Sequence, residues 1–383
     1  MRRSGGDSPS PSVCYHGRVN PLPMRTTKVL GGSVVVAALA FGGGVQPREV
    51  ELTYLTRLPT IPVDAREIRV WIPLAKTGVE QEILRRQIDA PVPYAVHQDP
   101  EFGNDILSLT LQPPVPQPLE IAIRYQARLL GANAPSAPSP LTPAETTRYL
   151  QPEGLIIIDD EVRRRAQEAT VGRPSRWEQA RGIYDHVIRS MRYDKTIPGY
   201  GRGDTARACS VGAGNCTDFH SLLISMARAT QIPSRFKIGF VVPPGSSGTI
   251  PGYHCWAEFY AEGKGWIPLY ASEAWKHPDL KEHYFGARDG NRFLVSTGRN
   301  IQLVPAPQNG PVNILFYPYV EVDGRAFDGI ATEFRFKELT RSDDATVSKT
   351  GGDDDERQAD GWGNPGGRSR CCGGILGLGG TDR

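Results

Sequence analysis

The hydrophobic periodicity of this chain changes once, across a segment rich in alanine, proline and serine at residues 131–144. Before that segment, over residues 47–130, apolar and polar side chains mostly alternate, as they do from Ile68 to Ile72. Alternation of this kind, divided by turn residues, is typical of half-buried strands. We therefore predict a β-sandwich-like module over residues 47–130 and a linker over residues 131–144.

After the linker, apolar side chains recur at helical spacing. Ser175 and Glu178 form a capping-box motif, and apolar residues then share one helical face as far as Met191. The same periodicity predicts a second helix from about Cys216 to Thr230. The sequence therefore predicts a helix at each of these two positions.

Strands are predicted after these helices. Alternation over residues 236–242, 253–260 and 266–270 supports them, and a glycine-containing turn joins the last two. Helices followed by antiparallel strands are typical of an α+β fold. We assign this fold to residues 145–340, with further strands at the C-terminal end, and predict that the glycine-rich residues 341–383 form a disordered tail.

Residues 1–46 contain the parts of a secretory signal peptide in their usual order. Arg25 and Lys28 precede a short apolar run, which ends in the small-residue segment 38–40. The run is shorter than the roughly 20 residues that a membrane-spanning helix requires. We therefore predict export to the periplasm, cell envelope or exterior, with no integral membrane span after signal removal. A disordered tail before a buried apolar segment is the alternative interpretation.

The composition favours neither a nucleic acid partner nor a cofactor. The 44 basic and 42 acidic side chains nearly cancel, leaving a net charge of +2. No motif for a nucleotide, flavin or haem is present, and we predict no cofactor. The cysteines that follow the signal region are Cys209, Cys216, Cys255, Cys371 and Cys372. An odd number leaves at least one thiol free unless chains pair.

Cys216 is the candidate nucleophile. A glycine-rich loop precedes it and delivers it to the first turn of a predicted helix, where free backbone N–H groups and the helix dipole favour a thiolate. The same N–H groups could hold the oxyanion that forms when a thiolate attacks an acyl carbon. Taken alone, a cysteine at a helix start is more often a packed small residue.

His254 is the candidate base, because it begins a predicted strand beside Trp256, a large aromatic residue that limits access of water. A metal site is a competing interpretation, with Cys209, Cys216, His220, His254 and Cys255 as its members. Their spacings fit no standard zinc pattern, and successive strand residues point to opposite faces, so no metal ligand is predicted. Cys209 and Cys255 are instead predicted to be packed thiols or disulfide partners, and His220 to make a structural hydrogen bond.

Several short segments together match one family pattern. They are Tyr200–Asp204, Gly214–His220, Ile232–Phe236, Gly252–Glu258, Gly265–Pro268, Ser272–Ala274, Asn291–Arg292 and Gly298–Arg299. Across roughly residues 145–320 the chain resembles the bacterial transglutaminase-like family. The resemblance implies an α+β fold with a papain-like core, in which the helix-borne cysteine packs on an antiparallel sheet. The strand-rich front region is similar to the module that such proteins carry there.

The resemblance also implies a cysteine–histidine–aspartate triad that acts on peptide or protein amide bonds through a thioester. Cys216 matches the nucleophile and His254 the base, but Tyr270 occupies the position expected for the aspartate. A neutral group in this role can cost about four orders of magnitude in turnover in serine-protease triads. We therefore expect weakened activity and predict that Tyr270→Asp raises turnover. Glu273 and Glu258 are the alternative carboxylates.

Two classes of function remain compatible with these residues. The first is an exported cysteine enzyme that performs acyl transfer or hydrolysis on a peptide or protein substrate. The second is a degenerate domain, altered at the third triad position and retained for binding proteins or envelope material. Cross-linking and hydrolysis differ only in whether an amine or water accepts the acyl group, and no residue noted here favours either acceptor.

Overall fold

A computed structural model describes residues 47–339 except for 59–60, 63, 116–117 and 132–138. The signal-peptide prediction for residues 1–46 and the tail prediction for residues 341–383 lie outside the described residues, as does the part of the predicted linker at residues 132–138.

The described residues form six helices and sixteen strands. The helices are α1 (Pro143–Arg148), α2 (Asp160–Thr170), α3 (Arg176–Ser190), α4 (Thr205–Val211), α5 (Cys216–Ala229) and α6 (Ala271–Lys276), followed by a short 3-10 turn at Pro278–Leu280. The strands are β1 (Arg48–Leu58), β2 (Ile68–Leu74), β3 (Gln81–Asp89), β4 (Ala95–Gln98), β5 (Asp105–Leu111), β6 (Leu119–Leu129), β7 (Arg192–Tyr193), β8 (Ala213–Gly214), β9 (Ser234–Val241), β10 (Ser247–Thr249), β11 (His254–Ala261), β12 (Gly265–Leu269), β13 (Arg292–Thr297), β14 (Tyr319–Val322), β15 (Arg325–Ala326) and β16 (Ala331–Glu338).

Two five-stranded sheets contain the strands of the front module. Their orders are β10-β16-β1-β6-β3 and β15-β14-β2-β5-β4. The C-terminal strand β16 runs antiparallel along β1, from the pair Val50–Glu338 to the pair Arg57–Ala331. The segment 47–130 therefore shares both of its sheets with strands from the C-terminal end of the described chain.

A third sheet, in the order β12-β11-β9-β13, carries the helices. Helix α5 packs on β11 and β9, and its residues from Cys216 to Arg228 are all buried, which explains why its apolar residues are not confined to one narrow stripe. Helices α2, α3, α4 and α6 surround α5. This arrangement confirms the predicted α+β fold with a helix-borne cysteine packed on an antiparallel sheet.

The helices and strands predicted around the candidate site are present. Helix α3 begins after Ser175, whose side chain and that of Glu178 form the predicted capping box. Helix α5 begins at Cys216, and β11 begins at His254. The sequence patterns do not predict α1, α2, α4 or α6; of these, α1, α4 and α6 have only six or seven residues, too few to display a helical repeat.

Candidate active site

The start of α5 is fixed by side chains on both sides of Cys216. The Asn215 side chain accepts a hydrogen bond from the backbone N–H of Thr217 (2.8 Å), and the Asp218 carboxylate accepts one from the N–H of Asn215 (2.9 Å). Cys216 is the first helical residue, so its own N–H precedes the first intrahelical hydrogen bond. That N–H is therefore not committed to the helix at the point where an oxyanion would form.

Asp218 also holds the glycine-rich loop against this helix. Its carboxylate accepts hydrogen bonds from the backbone N–H groups of Gly201 (2.7 Å) and Gly203 (3.0 Å). Both glycines have positive φ, and a Cβ on Gly203 would stand 2.5 Å from the Arg299 guanidinium. The buried Arg299 donates to Ser221 Oγ (2.7 Å) on α5. The glycines of the loop therefore have a structural role, since they let the loop pack closely against α5 beside the nucleophile.

Cys216 and His254 line one cleft of about 210 Å³. The other lining residues are Tyr193, Lys195, Tyr200, Asn215, Pro251, Gly252, Tyr253 and Tyr317. Tyr200 and Tyr317 are 42% and 47% exposed, so the mouth of the cleft presents two aromatic rings to solvent. The structure thus brings the predicted nucleophile and base together in a cleft with several aromatic walls.

The surroundings of Cys216 favour its thiolate. A hydrogen bond from the Cys255 thiol makes the largest contribution to lowering the pKa of Cys216. Burial acts in the opposite direction. The His254 imidazole and the Lys276 ammonium also lower the pKa, which reaches about 6. Burial, together with the hydrogen bond to Cys216, raises the pKa of Cys255. The proton of this buried pair therefore stays on Cys255, and Cys216 carries the negative charge.

Cys209, Cys216 and Cys255 are free thiols in this structure. Within the described ranges, no group of three or more His, Cys, Asp or Glu side chains is arranged to hold a metal ion. In the same part of the chain, no helix is both long and apolar enough to cross a membrane.

Glu273, one of the two alternative carboxylates, lies beside the histidine. Its Oε1 is 3.5 Å from His254 Nδ1 and 3.0 Å from Lys276 Nζ. The first separation exceeds the usual N–H···O distance of about 2.9 Å, so it is an electrostatic contact; catalytic hydrogen bonds often tighten only when substrate is bound. Burial opposes ionisation of Glu273, but the contacts with His254 and Lys276 outweigh it and hold its pKa well below the usual range.

Tyr270 occupies a different environment from the one expected of it. It is buried just before α6, and its ring lies 4.2 Å from the Arg292 guanidinium carbon. Burial raises its pKa, so the phenol is neutral at physiological pH. Among the described residues, Tyr270 makes no hydrogen bond to His254. The geometry therefore favours Glu273 over Tyr270 as the group that orients the imidazole.

Glu258, the other alternative carboxylate, is paired with cations from strand β9 and from the segment that precedes β13. Its Oε2 is 2.6 Å from Arg235 Nη2 and 3.4 Å from Lys237 Nζ, and its Oε1 is 3.7 Å from Arg288 Nη1. Burial opposes its ionisation, but these cations lower its pKa. Glu258 therefore has a structural electrostatic role within the sheet.

The surroundings of Tyr270 lead us to expect the opposite effect of an aspartate at this position, a loss of stability without a gain in turnover. Tyr270 lines a small cavity with Glu80 and Glu258, each of which has one carboxylate oxygen without a hydrogen-bond partner among the described residues. We expect Tyr270→Asp to destabilise the protein by about 3 kcal/mol or more, because the buried ring is lost and a further carboxylate enters a cavity that Glu80, Glu258 and Asp289 already line. Turnover should not exceed that of the wild type. Urea unfolding combined with an amide-turnover assay checks both statements.

Tyr270→Phe is the matched control for this substitution. It keeps the ring beneath Arg292 and removes only the hydroxyl, so turnover should stay near that of the wild type. A large loss of turnover in Tyr270→Phe, or a gain in Tyr270→Asp, would restore Tyr270 to the third triad position.

Comparison with known proteins agrees with the fold. Residues 163–271, which contain Cys216 and His254, match the Transglutaminase-like superfamily. The chain therefore carries a transglutaminase-like domain, as the sequence motifs indicated.

Individual relatives are distant. An uncharacterized protein of Haemophilus influenzae is 26% identical over 200 residues, which cover 43% of this chain and 54% of that protein. The chain thus spans about half the length of this curated relative. Among solved structures, a candidate cysteine protease from Cytophaga hutchinsonii has a TM-score of 0.51 and 14% identity, covering 77% of this chain and 91% of that one. The periplasmic domain of TgpA from Pseudomonas aeruginosa has a TM-score of 0.33 and 14% identity, covering 62% and 91%.

Proposed function

We propose that this protein is a cysteine enzyme that transfers or hydrolyses acyl groups at peptide or protein amide bonds. Cys216 is the nucleophile, His254 the general base and acid, and Glu273 the carboxylate that orients the imidazole. The observation that carries the proposal is the placement of Cys216 and His254 in one cleft, with the Glu273 carboxylate 3.5 Å from His254 Nδ1. Tyr270 at the third position stays a prediction that the geometry does not support.

The proposed reaction begins with attack of the Cys216 thiolate on the substrate carbonyl carbon. The oxygen becomes negatively charged and is held by the uncommitted N–H of Cys216 at the positive end of α5. His254, protonated by the thiol in the resting pair, then donates its proton to the leaving amine as the C–N bond breaks, which leaves a thioester on Cys216. Water or a second amine attacks the thioester, gives its proton to His254 and releases the thiolate.

The proposed substrate is an extended peptide or a flexible protein segment. The two exposed tyrosines, Tyr200 and Tyr317, provide flat apolar surfaces at the mouth of the cleft, and Tyr193 and Tyr253 also line it. We also propose that the protein acts outside the cytoplasm, on the strength of the signal-like order of parts in residues 1–46. A binding module built on the same cleft is the alternative, and the reactivity of Cys216 separates the two.

The rate of Cys216 alkylation against pH tests the proposed thiolate–imidazolium pair. With iodoacetamide and peptide mapping, we expect half-maximal reactivity near pH 6, the pKa that the surroundings give this thiol. Because His254 contributes part of the lowering, His254→Ala should move the midpoint to higher pH. The thiolate fraction, and hence the rate, rises with pH through the pKa and is constant above it.

Cys209 serves as an internal reference in the same sample, because burial raises its pKa. It should remain unreactive until well above the midpoint of Cys216. A Cys216 midpoint near 8.5, the ordinary value for a free thiol, with no response to His254→Ala would contradict the proposed enzyme and favour the binding module.

A further inference from the structure

His220 lies where the three elements of the proposed triad meet. It is fully buried on α5, one turn after Cys216. Its Nε2 accepts a hydrogen bond from the backbone N–H of Ala271 (3.1 Å), and its Nδ1 lies 3.6 Å from the sulfur of Cys255. One imidazole therefore contacts α5, the strand residue next to His254, and the first residue of α6.

The contact with Ala271 replaces a missing helix cap. The residue before α6, Tyr270, makes no side-chain capping hydrogen bond. The first N–H groups of a helix have no intrahelical acceptor, and a buried N–H without a partner is unfavourable. Since Ala271 is buried, His220 supplies from another helix the acceptor that α6 lacks. Glu273 lies only two residues further along α6, so the position of its carboxylate depends on this cap.

The hydrogen bonds define the protonation of His220. Nε2 accepts from Ala271 and therefore carries no proton, so the proton is on Nδ1, which donates to the backbone carbonyl of Cys216. Burial lowers the pKa of His220 to about 3, although the hydrogen bond to Cys216 acts in the opposite direction. The ring is consequently neutral wherever the enzyme would work and takes no part in proton transfer.

We propose that His220 is a positioning residue, which caps α6 from α5 and thereby holds the Glu273 carboxylate against the imidazole of His254. This inference rests on the proposed function, because it assigns Glu273 the orienting role. The structural hydrogen bond that the sequence predicts for His220 would thus determine the position of the Glu273 carboxylate.

A pair of amide substitutions tests the proposal. In His220→Gln the side-chain oxygen can reach about as far as Nε2 and accept from Ala271, whereas in His220→Asn it cannot. We expect His220→Asn to lower kcat about 10- to 100-fold, the usual cost of losing a group that orients a functional side chain, with KM unchanged. His220→Gln should retain most of the wild-type kcat. Both variants introduce an uncharged amide, so a difference between them reports the reach of the acceptor.

The pH profile of Cys216 alkylation gives a second measurement that needs no substrate. Loss of the Glu273 contact destabilises the His254 imidazolium and therefore the Cys216 thiolate. The Cys216 midpoint should consequently move to higher pH in His220→Asn. It should stay near the wild-type value in His220→Gln. His186→Asn is the control, since His186 is a half-buried histidine on α3 outside the site. It should leave both kcat and the midpoint unchanged.

Combination with Glu273→Gln decides whether His220 acts through Glu273. If it does, His220→Asn adds little to the loss already caused by Glu273→Gln. Full additivity of the two losses, or equal behaviour of the Asn and Gln variants, would overturn the positioning role. An inactive wild type with an ordinary Cys216 midpoint would instead overturn the proposed function. A low midpoint that moves in His220→Asn but not in His220→Gln would support the positioning role of His220 even before a substrate is found.

Discussion

Replacement of Cys216 by alanine is expected to abolish amide hydrolysis and acyl transfer while the protein remains folded. The substitution removes the sulfur that forms the thioester, and the neighbouring Cys255 cannot replace it, because it is buried and retains its proton. In a cysteine or serine triad, loss of the nucleophile lowers kcat by about 10⁶-fold. Product formation with fluorescent peptide and amine substrates measures the loss, and thermal unfolding verifies the fold.

Cys209→Ala is the matched control, since Cys209 lies on α4 outside the cleft. It should leave turnover unchanged. Activity retained in Cys216→Ala would exclude Cys216 as the nucleophile. Peptide binding that survives in Cys216→Ala, combined with a wild type that turns nothing over, would identify a binding module.

Glu273→Gln is expected to lower kcat by about two to four orders of magnitude. The change keeps the size of the side chain but removes the charge that stabilises the His254 imidazolium, and the equivalent loss in a serine-protease triad costs about 10⁴-fold. The Cys216 alkylation midpoint should move to higher pH, because the imidazolium that favours the thiolate is weakened. Steady-state kinetics and the alkylation profile together measure both effects.

The stability of Glu273→Gln relative to the wild type adds an independent check. The pKa of Glu273 is depressed in the folded protein, so its ionic contacts contribute stability above the unfolded carboxyl pKa of about 4.3 and lose it as the pH falls below that value. The difference in unfolding free energy between the two proteins should therefore be present at neutral pH and shrink in acid. A full loss of kcat in Tyr270→Phe, with none in Glu273→Gln, would reverse the assignment of the third residue.

The sequence predicts the two site residues whose positions depend on local patterns, Cys216 and His254. Cys216 is predicted at a helix start because a glycine-rich loop precedes it and apolar residues recur at helical spacing after it, and His254 is predicted at a strand start by alternation. Both are properties of a few neighbouring residues, so they survive into the structure. The capping box at Ser175 belongs to the same class of signal.

The third residue of the proposed triad could not be predicted in this way, because its position depends on the path that the chain takes after strand β12. Strand β12 ends at Leu269, and Tyr270 then faces the cavity that contains Glu258, while α6 carries Glu273 to the histidine. A helix of six residues leaves no periodic signal, and its cap comes from His220, which is distant in sequence. The pairing of β16 with β1 could not be predicted from the sequence either, because alternation identifies strands but does not indicate which strands pair.

The pairing of β16 with β1 and β10 also has a consequence for biosynthesis. The short strand β10 lies just before Pro251 and Gly252, which line the cleft beside His254, and its hydrogen-bonded neighbour in the sheet is β16. A ribosome must therefore translate the codon for Glu338 before the loop that precedes the base acquires its partner. Contacts between such distant parts of a chain carry a large loop-closure cost and form late in folding. The thiol at the helix start is thus translated before the strand that completes the framework around its base, and that framework forms only after nearly all of the described chain has been synthesised.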